Sequence, residues 1–76
     1  MQITQLKNDI AASIFMKPCT EQELFQRDFC KNKWVGGLQR LIMALERDGA
    51  IYYKGDKMFV YKKYVRENLG EYELLL

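Results

Sequence analysis

Apolar residues recur at spacings of three and four positions over the first part of the chain. Such a period places them on one side of a helix, with polar residues on the other sides. The pattern predicts a first helix over about residues 3–16, which ends before Pro18 because a proline disfavours helix in the residue before it. The predicted buried stripe of this helix consists of Ile3, Leu6, Ile10 and Ile14.

Thr20 and Glu23 have the spacing of a capping box. In this motif the threonine oxygen accepts from the backbone N–H three residues on, and the glutamate reaches back to the threonine N–H. The pair predicts a second helix that starts at Thr20 and runs to about Phe29. Its buried side consists of Leu24, Phe25 and Phe29.

A third helix is predicted over about residues 34–48, after a short polar break at residues 30–33. Gly49 ends it, since glycine best tolerates the left-handed conformation that closes many helices. One face of this helix is apolar and is predicted to be buried; it consists of Trp34, Leu38, Leu41, Ile42 and Leu45.

The adjacent glycines Gly36 and Gly37 are unusual in this helix, because each costs about 1 kcal/mol relative to alanine. Two interpretations stay open. In the first, the glycines allow close approach of the backbone to DNA or to the second helix. In the second, the third helix starts near Gly37, after a longer turn in which Trp34 plugs the core.

After Gly49 the apolar period changes to two, which is typical of strands. Two short runs rich in aromatic and β-branched residues flank Gly55-Asp56, and a two-residue glycine turn between such runs predicts a β-hairpin. With Lys54 opposite Lys57, the face towards the helices consists of Ile51, Tyr53, Met58 and Val60. The opposite face consists of Tyr52, Phe59 and Tyr61.

The C-terminal part of the chain predicts a short last helix over residues 62–69, ended by Gly70, while residues 71–76 alternate loosely as in a strand. We therefore expect one domain over residues 1–70 and a C-terminal tail over residues 71–76. The tail is apolar and hard to bury in so small a domain, which indicates a dimer interface, formed for example by edge-to-edge strand pairing. The residues expected at this interface are Tyr72, Leu74, Leu75 and Leu76.

The order of these elements, three helices and then a hairpin, resembles the winged helix-turn-helix family. The most specific stretch is residues 38–52, a leucine-rich helix followed by Asp48-Gly49, a small residue, an isoleucine and an aromatic residue. The resemblance covers about residues 3–63. It implies a mainly helical α+β fold: a three-helix winged helix-turn-helix with a short two-stranded β-hairpin wing and a short C-terminal helix or strand. Many such domains place the last helix of the motif in the major groove of double-stranded DNA.

The net charge of +2 conceals an uneven distribution. Residues 31–66 carry nine Lys and Arg against three Asp and Glu, whereas residues 1–30 carry three against four. Residues 67–76 carry three carboxylates and no cation. A basic middle of this kind suits a polyanionic partner, although an ordinary solvated surface can have the same composition.

The third helix carries cations and no carboxylate directly opposite its apolar face, on a stripe of Lys33, Gly36, Arg40, Met43 and Arg47. Arginine can pair with guanine and asparagine with adenine, while lysines suit phosphates. The hairpin tip adds two lysines that lie beside the DNA backbone or simply in solvent. The predicted DNA-binding residues are Lys31, Asn32, Lys33, Gly36, Gln39, Arg40, Met43, Arg47, Lys54 and Lys57.

We accordingly expect a small transcriptional regulator, of phage or plasmid type, that binds double-stranded DNA. Single modules bury only about 600–1,000 Å² of protein surface on DNA, so a homodimer or another DNA-bound protein would assist it. The alternative is a winged-helix adaptor or inhibitor that contacts only proteins, favoured by the modest charge, the acidic second helix and the acidic tail. The hairpin aromatics can also stack on single-stranded bases, but core packing is their commoner role.

Other chemistry is sparse. The chain has no histidine and no phosphate-binding glycine loop, so we expect no enzyme, no cofactor and no metal site. Cys19 and Cys30 flank the predicted second helix, roughly 15 Å apart at its rise per residue, which is too far for a disulfide. No apolar run is long enough for a membrane span and no secretory signal is recognisable, so a cytoplasmic protein is expected.

Overall fold

The computed structural model describes residues 3–76, with side chains from residue 5 onwards. The elements are α1 (Ile3–Met16), α2 (Glu21–Phe25), α3 (Val35–Arg47), β1 (Ile51–Lys54), β2 (Lys57–Val60), α4 (Lys62–Asn68) and a terminal 3₁₀ helix (Gly70–Leu75). This mainly helical α+β arrangement, with an antiparallel two-stranded hairpin after three helices, is compatible with a winged helix. Within the described part of the chain, no helix has both the length and the apolar character needed to span a membrane.

The first helix, α1, spans the predicted residues and turns its apolar stripe to the core. Ile10 and Ile14 are fully buried and Leu6 is half-buried, while the side chain of Ile3 lies outside the described part of the structure. Lys7 forms an ion pair with Asp48, just beyond the end of α3. Apolar packing and this surface pair together hold α1 against α3.

The capping box at the start of α2 is confirmed. The Thr20 hydroxyl accepts from the Glu23 N–H at 3.2 Å, and the Glu23 carboxylate accepts from the Thr20 N–H at 2.9 Å. The predicted end near Phe29 is wrong, because α2 ends at Phe25 and residues 26–33 form turns.

Arg27 stabilises these turns through contacts distant in sequence. Its guanidinium donates to the Ser13 carbonyl at 2.8 Å and to the Lys17 carbonyl at 2.7 Å. These carbonyls lie in the last turn of α1 and just beyond it, and the Ser13 carbonyl also accepts from the Lys17 N–H at 3.1 Å. The arginine therefore satisfies the end of α1 and at the same time fixes the chain that follows α2.

The third helix, α3, begins at Val35 and ends at Arg47, so the alternative start near Gly37 is wrong. Gly49 adopts a φ of +73°, in the left-handed region where glycine carries no steric penalty. The Ala50 N–H then donates to the Leu45 carbonyl at 2.8 Å, which closes the helix as the sequence predicts.

The hairpin has the predicted register, with Lys54 opposite Lys57. Gly55 supplies the positive φ, +66°, that the tight turn requires. The inward face is buried except at Tyr53, which is 38% exposed, and its buried members are Ile51, Met58 and Val60. The Cys19 carbonyl accepts from the Met58 N–H at 2.7 Å, so the segment before α2 joins the free edge of β2.

The core is a single cluster of apolar side chains from every helix and strand before the terminal 3₁₀ helix. Cys19 and Cys30 belong to it as free, buried thiols, in agreement with the expected absence of a disulfide. The largest fully buried side chains besides these are Ile10, Ile14, Leu24, Leu38, Ile42, Leu45, Ile51, Met58 and Val65.

The short helix predicted over residues 62–69 is confirmed as α4, but the strand predicted for residues 71–76 is wrong. These residues lie mainly in the 3₁₀ helix, where the Tyr72 N–H donates to the Leu69 carbonyl at 2.8 Å. The Tyr72 ring packs edge-on against Phe15 of α1, with centroids 6.3 Å apart. A segment in this conformation has no strand edge, so edge-to-edge pairing would need a different conformation of these residues.

Candidate nucleic-acid interface

The solvent-facing side of α3 holds four of the side chains predicted to contact DNA. Leu38, Ile42 and Leu45 define the opposite, buried side. Arg40 and Arg47 project from the outer side about two helical turns apart. The exposed side chains that the structure brings together here are Gln39, Arg40, Met43 and Arg47.

Trp34 departs from both interpretations of the sequence, because its side chain neither faces the core from the helix nor plugs the turn. It immediately precedes α3 in an extended conformation, and it is 72% exposed. Its indole lies on the first turn of α3: a Cβ added at Gly36 would meet ring atoms at 2.7 Å and 2.8 Å, and one at Gly37 would meet the ring at 3.4 Å. The absence of side chains at Gly36 and Gly37 therefore leaves room for the Trp34 ring to pack on the helix. Neither interpretation of the glycine pair from the sequence included this role.

Other exposed side chains of α3 lie near the Trp34 ring. The Arg40 guanidinium carbon lies 5.6 Å from the Trp34 ring centroid, within the range of a cation–π contact. Val35 and Met43 are 46% and 56% exposed. The outer side of α3 is thus a mixed surface of arginine and aliphatic side chains beside an exposed indole. Trp34 is the member of this surface that the sequence analysis did not identify, and the two glycines that follow it were the available signal.

The cations before α3 have different environments. Lys31 and Asn32 are exposed in the turn, where Lys31 approaches Asp28 at 3.6 Å. Lys33 is half-buried, and its ammonium donates to the Phe29 carbonyl at 2.7 Å. Lys31 is therefore available to a phosphate, whereas Lys33 is committed to the chain's own backbone.

The hairpin tip exposes Lys54 and Lys57, as predicted. Lys57 shares a shallow cleft with Glu23 and Arg27 beside α2. The pKa of Glu23 is lowered, mainly because the carboxylate accepts from the Thr20 N–H and to a smaller degree because of the nearby Lys57. Lys57 thus has a carboxylate neighbour in the protein.

Carboxylates also lie where the hairpin meets α2 and α3. The Tyr53 hydroxyl donates to Glu21 at 3.1 Å. Partial burial, the charge of Glu21 and a smaller effect of Glu46 raise the pKa of Tyr53 to about 12, so the phenol stays protonated at neutral pH. The arginines of α3 and the lysines of the hairpin tip therefore do not form an uninterrupted positive surface.

An apolar groove opens between α1 and the N-terminal end of α3, next to Trp34. Leu6 and Trp34 form its walls, and the side chains of Leu38 and Leu41 form its floor together with Gly37. Its volume is about 640 Å³. Lys33 and Arg40 stand at its rim. We call this the α1–α3 groove.

The outward face of the hairpin is aromatic, as predicted. Tyr52 stacks on Phe59 across the strands, with ring centroids 5.6 Å apart, and contacts Tyr61 at 4.6 Å. Lys62 and Lys63 border a shallow cleft on this side with Tyr52 and Tyr61. Tyr52 therefore contacts both of the other rings, while Tyr61 remains 46% exposed.

The cysteines and carboxylates are the groups to consider for nucleophilic and metal chemistry. Burial raises the pKa of the Cys19 and Cys30 thiols, so both stay protonated at neutral pH and are poor nucleophiles. Among residues 3–76, no group of three or more Cys, Asp or Glu side chains is placed to hold a metal ion.

Comparison of this chain with known protein families, with curated proteins and with solved structures gives no match. What the protein does must therefore be inferred from the geometry of its surface.

Proposed function

We propose that this protein is a winged-helix protein that binds double-stranded DNA through α3, with the hairpin as the wing beside the DNA backbone. The observation that supports this most directly is the outer side of α3, where Arg40 and Arg47 are exposed about two turns apart, with the carboxylate of Glu46 to one flank beside Gln39. An α-helix fits the major groove of B-DNA, and arginine is the commonest reader of guanine there.

The cations around α3 supply the contacts to phosphate in this proposal. Lys31 precedes the helix and Lys54 stands at the hairpin tip, and both are exposed. Phosphate contacts provide most of the affinity of such proteins and carry no sequence information. The expected division of roles is therefore base contact by Arg40 and phosphate contact by Lys31 and Lys54. Regulation of transcription in the cytoplasm, as in phage or plasmid regulators, is the biological role we propose for this binding.

A protein partner is the second candidate, and the exposed Trp34 is the observation that favours it. Tryptophan and arginine are the residue types most enriched among the energetically dominant side chains of protein interfaces. Trp34, with Arg40 beside it, has this character, and Val35 extends the apolar surface. In this alternative the protein is an adaptor or inhibitor that binds no nucleic acid.

Anisotropy of a labelled mixed-sequence duplex, titrated with the protein at several salt concentrations, tests the first candidate. We expect binding at low salt, with the logarithm of affinity falling linearly with the logarithm of salt concentration. Absence of binding at low salt would rule out the DNA function and leave the protein partner.

Base contact is tested with variants on sequences selected by the protein from a random pool. Arg40→Ala is expected to lose roughly 5- to 150-fold on selected sites, and less on the unselected pool. Lys54→Ala should weaken both alike and reduce the salt slope by about 1. Arg66→Ala, an exposed arginine on α4, is the matched control and should change neither. Equal losses for Arg40→Ala on both DNAs would show that α3 does not read bases.

A further inference from the structure

The end of the chain exposes an unusual amount of apolar surface. Leu74 is 95% exposed, Leu75 is 59% exposed and Leu76 is 39% exposed. Two exposed carboxylates, Glu71 and Glu73, accompany these leucines in the terminal 3₁₀ helix. The segment is therefore both acidic and apolar, and its leucines project away from the core.

The α1–α3 groove has the complementary character. Its lining is apolar, with Leu6 and Trp34 as walls, and two cations, Lys33 and Arg40, stand at its rim. Its volume of about 640 Å³ is ample for a few leucine side chains. An apolar floor beneath a cationic rim suits a segment whose leucines are flanked by carboxylates, since burial of the leucines brings opposite charges together at the edge.

We propose that the C-terminal segment of one copy of this chain, residues 71–76, docks into the α1–α3 groove of a second copy. Leu74 and Leu75 enter the groove against Leu6 and Trp34. The carboxylate of Glu73 lies at the rim beside Arg40. This contact shares Arg40 with the proposed DNA-contacting face, but it needs no nucleic acid.

The segment does not reach the groove of its own copy. It is held by Tyr72, whose ring packs against Phe15 of α1. Phe15 and Leu6 are nine positions apart, which at 100° per residue places them on opposite flanks of the helix. Along the axis the segment and the groove do approach each other, because Glu71 and Tyr72 share a cleft with Gln5 and Asn8 of α1. No residue of the segment lines the α1–α3 groove, so segment and groove lie on different faces of one copy.

The opposite placement of segment and groove also determines the kind of assembly. A contact between two different surfaces of a chain is heterologous, and it continues from copy to copy unless the rotation closes a ring. The contact is therefore head-to-tail, rather than the strand-paired dimer that the sequence suggests. A junction made by so short a segment falls below the roughly 1,200 Å² of stable complexes, so association is expected at about 0.1–1 mM protein.

Sedimentation equilibrium without DNA tests the proposal. The average mass of the wild type should rise with concentration from the 9.0 kDa of a monomer to values beyond those of a dimer. Leu74→Asp removes the inserted side chain and Trp34→Ala removes a wall of the groove, and each variant alone should stay monomeric. Both residues are largely exposed, so the fold is expected to persist, which circular dichroism verifies.

The decisive sample is an equimolar mixture of these two variants. Leu74→Asp retains an intact groove and Trp34→Ala an intact segment, so the mixture can form one junction. The mixture should form no assembly larger than a heterodimer, whereas the wild type should form larger assemblies as its concentration rises. Tyr61→Asp introduces the same charge at an exposed residue at the start of α4, outside the groove, and should associate as the wild type does.

The proposed ion pair between Arg40 and Glu73 is tested by reversing its charges. Arg40→Glu should weaken association at least tenfold, and the additional change Glu73→Arg should restore most of it. A wild type that stays monomeric at 1 mM would overturn the proposal and indicate that the groove serves a different partner. Association that survives in Leu74→Asp alone, or a mixture of variants that stays monomeric, would equally overturn it.

Discussion

The two ends of α3 differ in how closely they follow the local rules of helix formation. At the C-terminal end, Leu45 is fully buried, Gly49 has the left-handed conformation of a helix terminator, and Asp48 pairs with Lys7. At the N-terminal end, Trp34 provides no side-chain cap and holds a large ring in solvent over two glycines. The first end is built for stability, whereas the second gives up stability and gains an exposed surface.

Sites where a chain breaks a local rule without gaining a core contact are often functional. The N-terminal end of α3 borders both the proposed DNA-contacting face and the α1–α3 groove, and Arg40 belongs to each. The comparison of the two ends therefore leads to measurable differences in stability.

Leu45→Ala should have the largest effect, a loss of about 3 kcal/mol in the free energy of unfolding, because Leu45 is fully buried at the C-terminal end of α3. Urea unfolding followed by circular dichroism measures it. Val35→Ala, at the exposed N-terminal end, is the matched apolar truncation and should change stability by less than about 0.5 kcal/mol. Similar losses for both variants would remove the distinction between the two ends.

Gly49→Ala should cost about 1–2 kcal/mol, since the residue has a φ of +73° and the substituted Cβ has open space around it. The loss is therefore conformational and not steric. Gly70→Ala is the control, because a Cβ there also meets nothing and its backbone lies outside the left-handed region. If thermal unfolding shows the same shift for both variants, the left-handed termination of α3 contributes nothing to stability.

Trp34→Ser should raise stability by about 1 kcal/mol, because it supplies a capping hydroxyl at an extended residue that now provides no side-chain cap bond. The same variant should lose head-to-tail association. Thr20→Ala is the mirror-image control, since it removes the existing cap of α2 and should lose about the same free energy. A Trp34→Ser protein less stable than the wild type would mean that the indole contributes more by packing than its exposure indicates.

Gly36→Ala should have the smallest effect on stability. Replacing a helical glycine gains about 1 kcal/mol, but the new methyl group would lie 2.7 Å from the Trp34 ring and displace it. In Gly37→Ala the added methyl group would lie 3.4 Å from the ring, which is a much milder contact. This variant should therefore retain more of the gain in stability. Chemical denaturation compares the two, and nuclear Overhauser contacts from the indole to α3 report whether the ring has moved. Equal gains in the free energy of unfolding for the two variants, with the ring unmoved, would show that Gly36 is not needed for the Trp34 ring to pack there.

Features that depend on neighbouring residues in the sequence were predictable. The capping box of Thr20 and Glu23, the termination at Gly49 and the hairpin register around Gly55 each follow from a local rule, and all three are confirmed. Periodicity likewise predicted the extent of α1 and nearly that of α3. These features supply the mainly helical α+β framework and the faces on which the candidate residues lie.

The predictions that were wrong depend on contacts between distant residues. The early end of α2 accompanies bonds from Arg27 to the end of α1, ten to fourteen positions back. The C-terminal segment has a 3₁₀ conformation anchored by Tyr72 on Phe15. Periodicity along the chain cannot show such partners.

Trp34 is the single tryptophan of the chain, and this gives the protein an optical reporter at the surface where its proposed partners meet. An indole that is 72% exposed emits at long wavelength, and no second indole masks its signal. A leucine segment entering the groove would shift that emission to the blue, whereas a nucleic acid laid along α3 would quench it. The unmodified protein can thus distinguish the two events in one titration.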